Sequence, residues 1–173
     1  DDINKHDRFK KQLLIMNKGY DLVGSWIDEF NGDSYVSTRK VPENNKEIYR
    51  LARFRSPLNH QTVCFLKDKI NKLGGYEDMP YHEDYLLWIK CIKAGYKINN
   101  IQEPLVNAEI GNGFIKRRSG LGYIFSGFRL NYRLYKYGIN SLLIFLIAIV
   151  MRFMFFMLPN FLKEILYKLA LRD

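Results

Sequence analysis

Two adjacent carboxylates, Glu83 and Asp84, head the segment EDYLLWIKCIKAG. Tyr85, Trp88, Ile89 and Ile92 recur there at i, i+3, i+4 and i+7, and Gly95 supplies a stop, so the spacing predicts a helix with an acidic first turn. The positive end of a helix favours an ionised carboxylate, and only an ionised carboxylate can take a proton, so one of the pair could serve as a general base. Acidic residues in a first turn also stabilise a helix with no chemistry attached. Asp1 and Asp2 form a second pair just before an expected helix, and such hard oxygen ligands suit Mg2+ or Mn2+ beside a phosphate. His60, in SPLNHQT, could touch a substrate, move a proton or be a plain loop histidine. Arg117 and Arg118, in KRRSG at 116–120, have guanidinium forks that match phosphate oxygens, and the same cluster could be a solvated or lipid-facing patch. No second His or Cys stands at metal-ligand spacing, which argues against structural zinc, and neither a P-loop nor a dinucleotide glycine motif occurs.

The elements that must position these groups alternate along the first two-thirds of the chain. Phe9, Leu13 and Met16 make an apolar stripe for a helix ending near Gly19. DLVGSWIDEF and YVSTRKV read as strands, residues 43–59 as a loop with a helical turn, and QTVCFLKD as a buried strand. KINKLGGY gives a short helical turn closed by Gly74 and Gly75. After the Glu83 helix come two short strands, YKINNI and PLVNAEI. From Ser119 the chain turns helical to Gly138, with an apolar helix behind. Such alternation predicts an α/β body over 1–112 and an all-helical tail over 113–173.

The 173 residues suffice for one ordinary domain, and 47% apolar with 26% charged residues excludes wholesale disorder. Two cysteines cannot build a disulfide scaffold and suit a reducing cytoplasmic compartment. The net charge of +9 is concentrated in the tail, where residues 114–173 carry 10 Lys/Arg against 2 Asp/Glu. A basic stretch attracts phosphate in nucleic acid, lipid headgroups or a diphosphate. Its company is apolar: Leu142 to Met151 is unbroken, and Phe153 to Leu158 resumes after Arg152. Seventeen positions around a central Arg fall short of the roughly 20 apolar residues that span a bilayer. A helix lying in the headgroup region, with Arg152 reaching phosphates, fits better than a span; packing on the body is the other reading. Long apolar runs and the lack of any recognition motif argue against nucleic acid.

In order, these segments resemble the C-terminal two-thirds of a bacterial family 2 glycosyltransferase with the GT-A fold, of the kind that builds capsule, exopolysaccharide or O-antigen. DDINKHDRFKKQL resembles the segment with the family's Asp-x-Asp motif and following helix, and SPLNHQTVCFLKD its acceptor-side loop. LGGYEDMPYHEDYLLWIKCIKAGYKI resembles its Gly-Gly-Tyr and Glu-Asp region, and RFMFFMLPNFLKEILYKLALR the tail many such enzymes carry. The resemblance implies a partial GT-A mixed sheet, nucleotide-diphospho-sugar transferase-like, with a helical tail that associates with membrane. It implies an inverting transferase that moves a sugar from a nucleotide-sugar donor to a glycan or polyprenyl-linked acceptor. Asp1 would be the second aspartate of Asp-x-Asp and hold Mg2+ or Mn2+. Asp84 would be the base, Glu83 would support the acceptor site, His60 would contact the acceptor, and Arg117 and Arg118 would steady the departing diphosphate. The expected location is cytoplasmic, peripheral at an anionic inner membrane face. The family's nucleotide-binding first segment has no counterpart here, so the chain alone is expected to bind sugar nucleotide poorly. The alternatives are a non-catalytic membrane-surface module or an inactive remnant.

Overall fold

The computed structural model describes residues 2–110, 120–159 and 162. Its centre is a mixed five-stranded sheet built on β2 (Leu22–Asn31) and a parallel neighbour, β5 (Ile98–Glu109). β1 (Ile3–Asn4) lies antiparallel on the far side of β5, and β3 (Ser34–Arg39) lies antiparallel on the other side of β2. β4 (Cys64–Phe65) adds a short antiparallel pairing to the start of β2. β2 and β3 join through Gly32-Asp33, and a two-residue turn with positive φ at its first position suits the twist of a hairpin. The helices in chain order are α1 (Arg8–Met16), α2 (Asn45–Leu51), α3 (Lys67–Lys72), α4 (Glu83–Lys93), α5 (Leu121–Lys136) and α6 (Leu142–Met157). The mixed α/β sheet agrees with the sequence expectation and is consistent with a fragment of GT-A type; of the expected tail over 113–173, α5 and α6 are helical, and 113–119, 160–161 and 163–173 lie outside the described residues.

α4 is the buried axis of the molecule. Leu87, Trp88 and Cys91 pack toward the sheet with Leu22, Ile48, Leu58, Ile70 and Ile98. Tyr85, Leu86 and Ile89 pack on the opposite side with Met79, Leu130, Leu134 and Ile139. Tyr85 through Ile89 are all buried, so α4 is covered on two faces, and the single stripe read from its spacing is half of what is buried. Burial also pushes the Cys91 thiol up to about 12, which leaves it an inert core residue. Gly95 ends the helix in a left-handed turn, with Gly95 N–H donating to Ile92 O and Tyr96 N–H to Cys91 O.

Four local expectations are corrected. YKINNI and PLVNAEI form one strand, β5; the register slips where Pro104 faces Trp26, and a strand absorbs a proline at such an irregularity. QTVCFLKD is mostly not strand. It is a 3-10 turn (His60–Thr62), the two residues of β4 and the start of α3. The helical turn expected in 43–59 is the seven-residue α2, whose cap Asn44 accepts the Glu47 backbone N–H at 3.2 Å. The fourth correction concerns α1, which turns its polar side inward: Arg8 and Gln12 are buried, while Phe9, Leu13 and Leu14 are more than half exposed. Gln12 is held there by donating to Val23 O at 2.9 Å and to Thr62 O at 2.6 Å.

α5 and α6 fold back on one another. Tyr135 stacks on Phe145 at 5.3 Å, and Arg152 lies against Gly127, where a Cβ would collide with its guanidinium. Arg152 therefore turns toward the body and not outward to headgroup phosphates. Its withdrawal from water lowers its pKa, and the neighbouring Tyr85 and Tyr123 oppose that shift. No helix among the described residues is long and apolar enough to cross a membrane.

Candidate active site

Asp84 lies in the first turn of α4, one residue beyond its exposed neighbour Glu83. One carboxylate oxygen, Oδ1, accepts the Tyr85 backbone N–H at 2.7 Å. The other, Oδ2, lies 3.6 Å from His60 Nδ1, too far for a hydrogen bond and close enough for charge to matter. The Asp84 side chain is about one-quarter exposed, at 24%, against 61% for His60. Burial raises the Asp84 pKa above the ordinary carboxylate range; a protonated His60, the Tyr85 N–H and Arg39 lower it, and Glu83 raises it. The result is a largely sheltered carboxylate with strengthened proton affinity, one oxygen held by the Tyr85 N–H and the other facing the exposed His60.

His60 reaches this position because its turn is pinned to β2. The Thr62 hydroxyl accepts the Ser25 N–H at 2.9 Å and donates to Asn59 O at 2.8 Å. The Asn59 amide donates to Ser25 O at 2.9 Å and to Arg39 O at 3.3 Å, tying the turn to the end of β3. Gln12 closes the arrangement through Thr62 O, and Arg8 Nε donates to Gln12 Oε1 at 3.1 Å. Asn59, Thr62, Gln12 and Arg39 were not legible as site residues. Their only sequence signal is polarity beside strands, where the pairing periodicity wants apolar groups. The loop before α4 contains a further irregularity: Tyr81 adopts φ 70°, rare for a residue with a side chain, and its ring meets Tyr123 edge-on.

The expected site residues are thus brought together in part. Asp84 and His60, read separately in the sequence, face each other, and Glu83 flanks them in solvent. Asp1, Arg117 and Arg118 lie outside the described residues. Asp2 is exposed, and its carboxylate accepts the Glu109 N–H at 3.2 Å. Among the described residues no group of three His, Cys, Asp or Glu could hold a metal ion.

No protein-family model matches the chain. Over 99% of its length it is 38% identical to a Haemophilus influenzae protein named as an uncharacterized glycosyltransferase. Over 99% it is 36% identical to the UDP-Gal:alpha-D-GlcNAc-diphosphoundecaprenol beta-1,3-galactosyltransferase of Escherichia coli. Over 95% it is 33% identical to the amylovoran biosynthesis glycosyltransferase AmsE of Erwinia amylovora. The chain spans 65%, 64% and 64% of these relatives, less than two-thirds of each. It is a homologue, over nearly all of its own length, of proteins named as glycosyltransferases.

Proposed function

We propose that this chain is the acceptor-side part of an inverting glycosyltransferase of family 2 and GT-A fold. In this reading it serves transfer of a hexosyl group from a nucleotide-diphospho-sugar to a sugar carried on a lipid diphosphate. The observation that carries the reading is Asp84, half-buried at the head of α4 with raised proton affinity and with His60 across from its second oxygen. In the reaction Asp84 takes the hydrogen of the acceptor hydroxyl as that oxygen bonds to the anomeric carbon. The bond from the anomeric carbon to the diphosphate breaks on the opposite side, and the nucleoside diphosphate leaves with the electron pair. Attack in line on that carbon inverts it. His60 orients the acceptor and, when protonated, holds Asp84 ionised. Glu83 lends negative charge at the rim. Arg117 and Arg118 are proposed for the departing diphosphate, and Asp1 for a divalent cation.

The test is Asp84→Asn in the protein as its gene encodes it, assayed with a labelled UDP-hexose and a synthetic sugar-diphosphate-lipid. Loss of transfer by at least about 100-fold, with nucleotide binding kept, is expected when a general base is removed. Normal turnover by that variant removes Asp84 from the mechanism. We also propose a peripheral position at an anionic inner membrane face. The support is α6, whose Leu142, Leu143, Leu146, Ile147, Val150 and Met151 are each at least half exposed. A membrane-surface module without catalysis rests on the same helix and leaves the Asp84–His60 pairing without a purpose.

A further inference from the structure

The segment that leads into α4 and delivers Asp84, residues 77–82, is held by one face of α5. Tyr123, Ser126, Leu130, Arg133 and Leu134 recur there at i, i+3, i+7, i+10 and i+11, the repeat of a single helical face. Arg133 Nη2 donates to Glu77 Oε2 at 3.0 Å. Met79 is buried in one cluster with Leu130 and Leu134. The Ser126 hydroxyl donates to Pro80 O. The Tyr123 ring completes the row, edge-on to Tyr81 with 5.7 Å between centres and tilted against the His82 ring at 5.0 Å.

Among the described residues Tyr81 is the one non-glycine with positive φ, and a left-handed backbone at such a residue persists only where its surroundings fix it. Here they fix it on both sides. Pro80 O takes the Ser126 hydroxyl, and His82 N–H donates to Met79 O at 3.0 Å. His82 is buried at the cap position of α4, where its carbonyl accepts the Leu86 N–H at 2.9 Å. Asp84 follows two residues later, so a rotation at Tyr81 or His82 would swing its carboxylate away from His60. Tyr123 packs on the rings of both residues that could rotate. α6 backs the same stretch of α5, with the Arg152 guanidinium against Gly127, one turn beyond Tyr123.

We propose that Tyr123 is a positioning residue for the proposed reaction: its ring holds the Tyr81–His82 step and thereby fixes the first turn of α4, where Asp84 stands. The inference rests on the reading of Asp84 as the base. The ring makes the contact, so phenylalanine serves at this position and alanine does not. Without the ring the first turn of α4 loosens, and water reaches a carboxylate that burial otherwise shelters.

The test follows the Asp84 carboxyl by carbon NMR through a pH titration of the 173-residue chain carrying Tyr123→Ala or Tyr123→Phe. The groups whose charge couples to it are His60, Glu83, Arg39, Tyr85 and Tyr76, and neither variant alters them. In Tyr123→Ala the carboxyl should titrate at a pH lower by at least about 0.5, because hydration removes part of the burial effect, and Tyr123→Phe should match the wild type. Tyr123→Leu, which keeps apolar bulk without a ring, is read in the same way should the alanine variant fail to fold. An unmoved or raised titration, or an equal drop in Tyr123→Phe, overturns the proposal. In transfer by the protein as its gene encodes it, Tyr123→Ala should lower kcat at least about tenfold and leave the KM for UDP-hexose within about twofold. Added to Asp84→Asn it should lower transfer no further, since it acts through that carboxylate. A further loss of about tenfold there would mark a general structural role and overturn the proposal. Normal turnover by Asp84→Asn alone sinks the base and leaves the titration to decide the brace, so the two fail separately.

Discussion

A carboxylate that must take a proton from an alcohol works best when its own proton affinity lies near the ambient pH, and burial moves Asp84 that way. His60 pulls in the opposite direction, since a proton on its ring 3.6 Å away would favour the ionised carboxylate. Removing it leaves burial less opposed. His60→Ala should therefore shift the acid limb of the pH–rate profile to higher pH and lower transfer more at pH 6 than at pH 8. An unshifted limb would separate His60 from the titration of Asp84. A stability measurement checks the same carboxylate without any assay of turnover. A raised folded-state pKa means that the folded chain holds the Asp84 proton more tightly than the unfolded chain does. Stability from this group is then full below the unfolded value of about 3.9 and is lost as pH rises through the folded value. Asparagine cannot lose that proton and can still accept the Tyr85 N–H. Asp84→Asn should melt above the wild type at pH 7, with the gap closing below about pH 4; a gap independent of pH would contradict the burial argument.

The elements that hold this pair differ in how openly the sequence announces them. β2 was legible from its β-forming residues between turn residues and α4 from one apolar stripe, although both elements bury more than one face, and Gly95 and Gly138 mark helix ends with positive φ. The His60 turn was not. QTVCF has strand composition, yet Thr62 and Asn59 spend their hydrogen bonds on Ser25 and Arg39, and that tertiary bonding outweighs local propensity. α1 misled for the same reason, since the long-range bonds of Gln12 bury its polar face. The nearness of His60 to Asp84 follows from those pins and could not be read from spacing. Thr62→Val, nearly the same in shape, leaves the buried Ser25 N–H without its acceptor. It should cost about 1–3 kcal/mol in urea unfolding and reduce transfer through the displaced turn. The tail has a comparable joint. Gly127→Ala puts a methyl group where Arg152 lies and should loosen α6 from α5, read as faster amide exchange in α6 while α4 is unchanged. Equal protection in both proteins would mean that Arg152 does not seat that helix.

At the scale of the whole molecule, charge and greasy surface are unevenly placed. The net +9 is concentrated beyond residue 113, and α6 turns Ile144, Phe145, Ala148 and Ile149 toward α5 while leaving the opposite stripe bare. A 16-residue helix is about 24 Å long, shorter than the roughly 30 Å of a hydrocarbon core. Lying flat, it would sink Leu142, Leu146, Ile147, Val150 and Met154 among the acyl chains, with Arg129 and Lys136 on the exposed side of α5 near the headgroups. Each large side chain moved out of water contributes about 1.5–3 kcal/mol, so two of them decide whether the protein floats with vesicles. Leu146→Glu with Val150→Glu changes only exposed positions and should leave the fold intact. In flotation with vesicles of mixed neutral and anionic lipid, the double variant should bind at least tenfold less than the wild type. High salt should weaken the wild type partially, because the apolar part of the attraction is not screened. Removal of residues 142–173, which keeps the buried Ile139 and Asn140, should abolish flotation. Full binding after that removal would place the membrane contact elsewhere, and a salt-resistant dimer in the wild type that the double variant lacks would assign the stripe to a second copy of the chain.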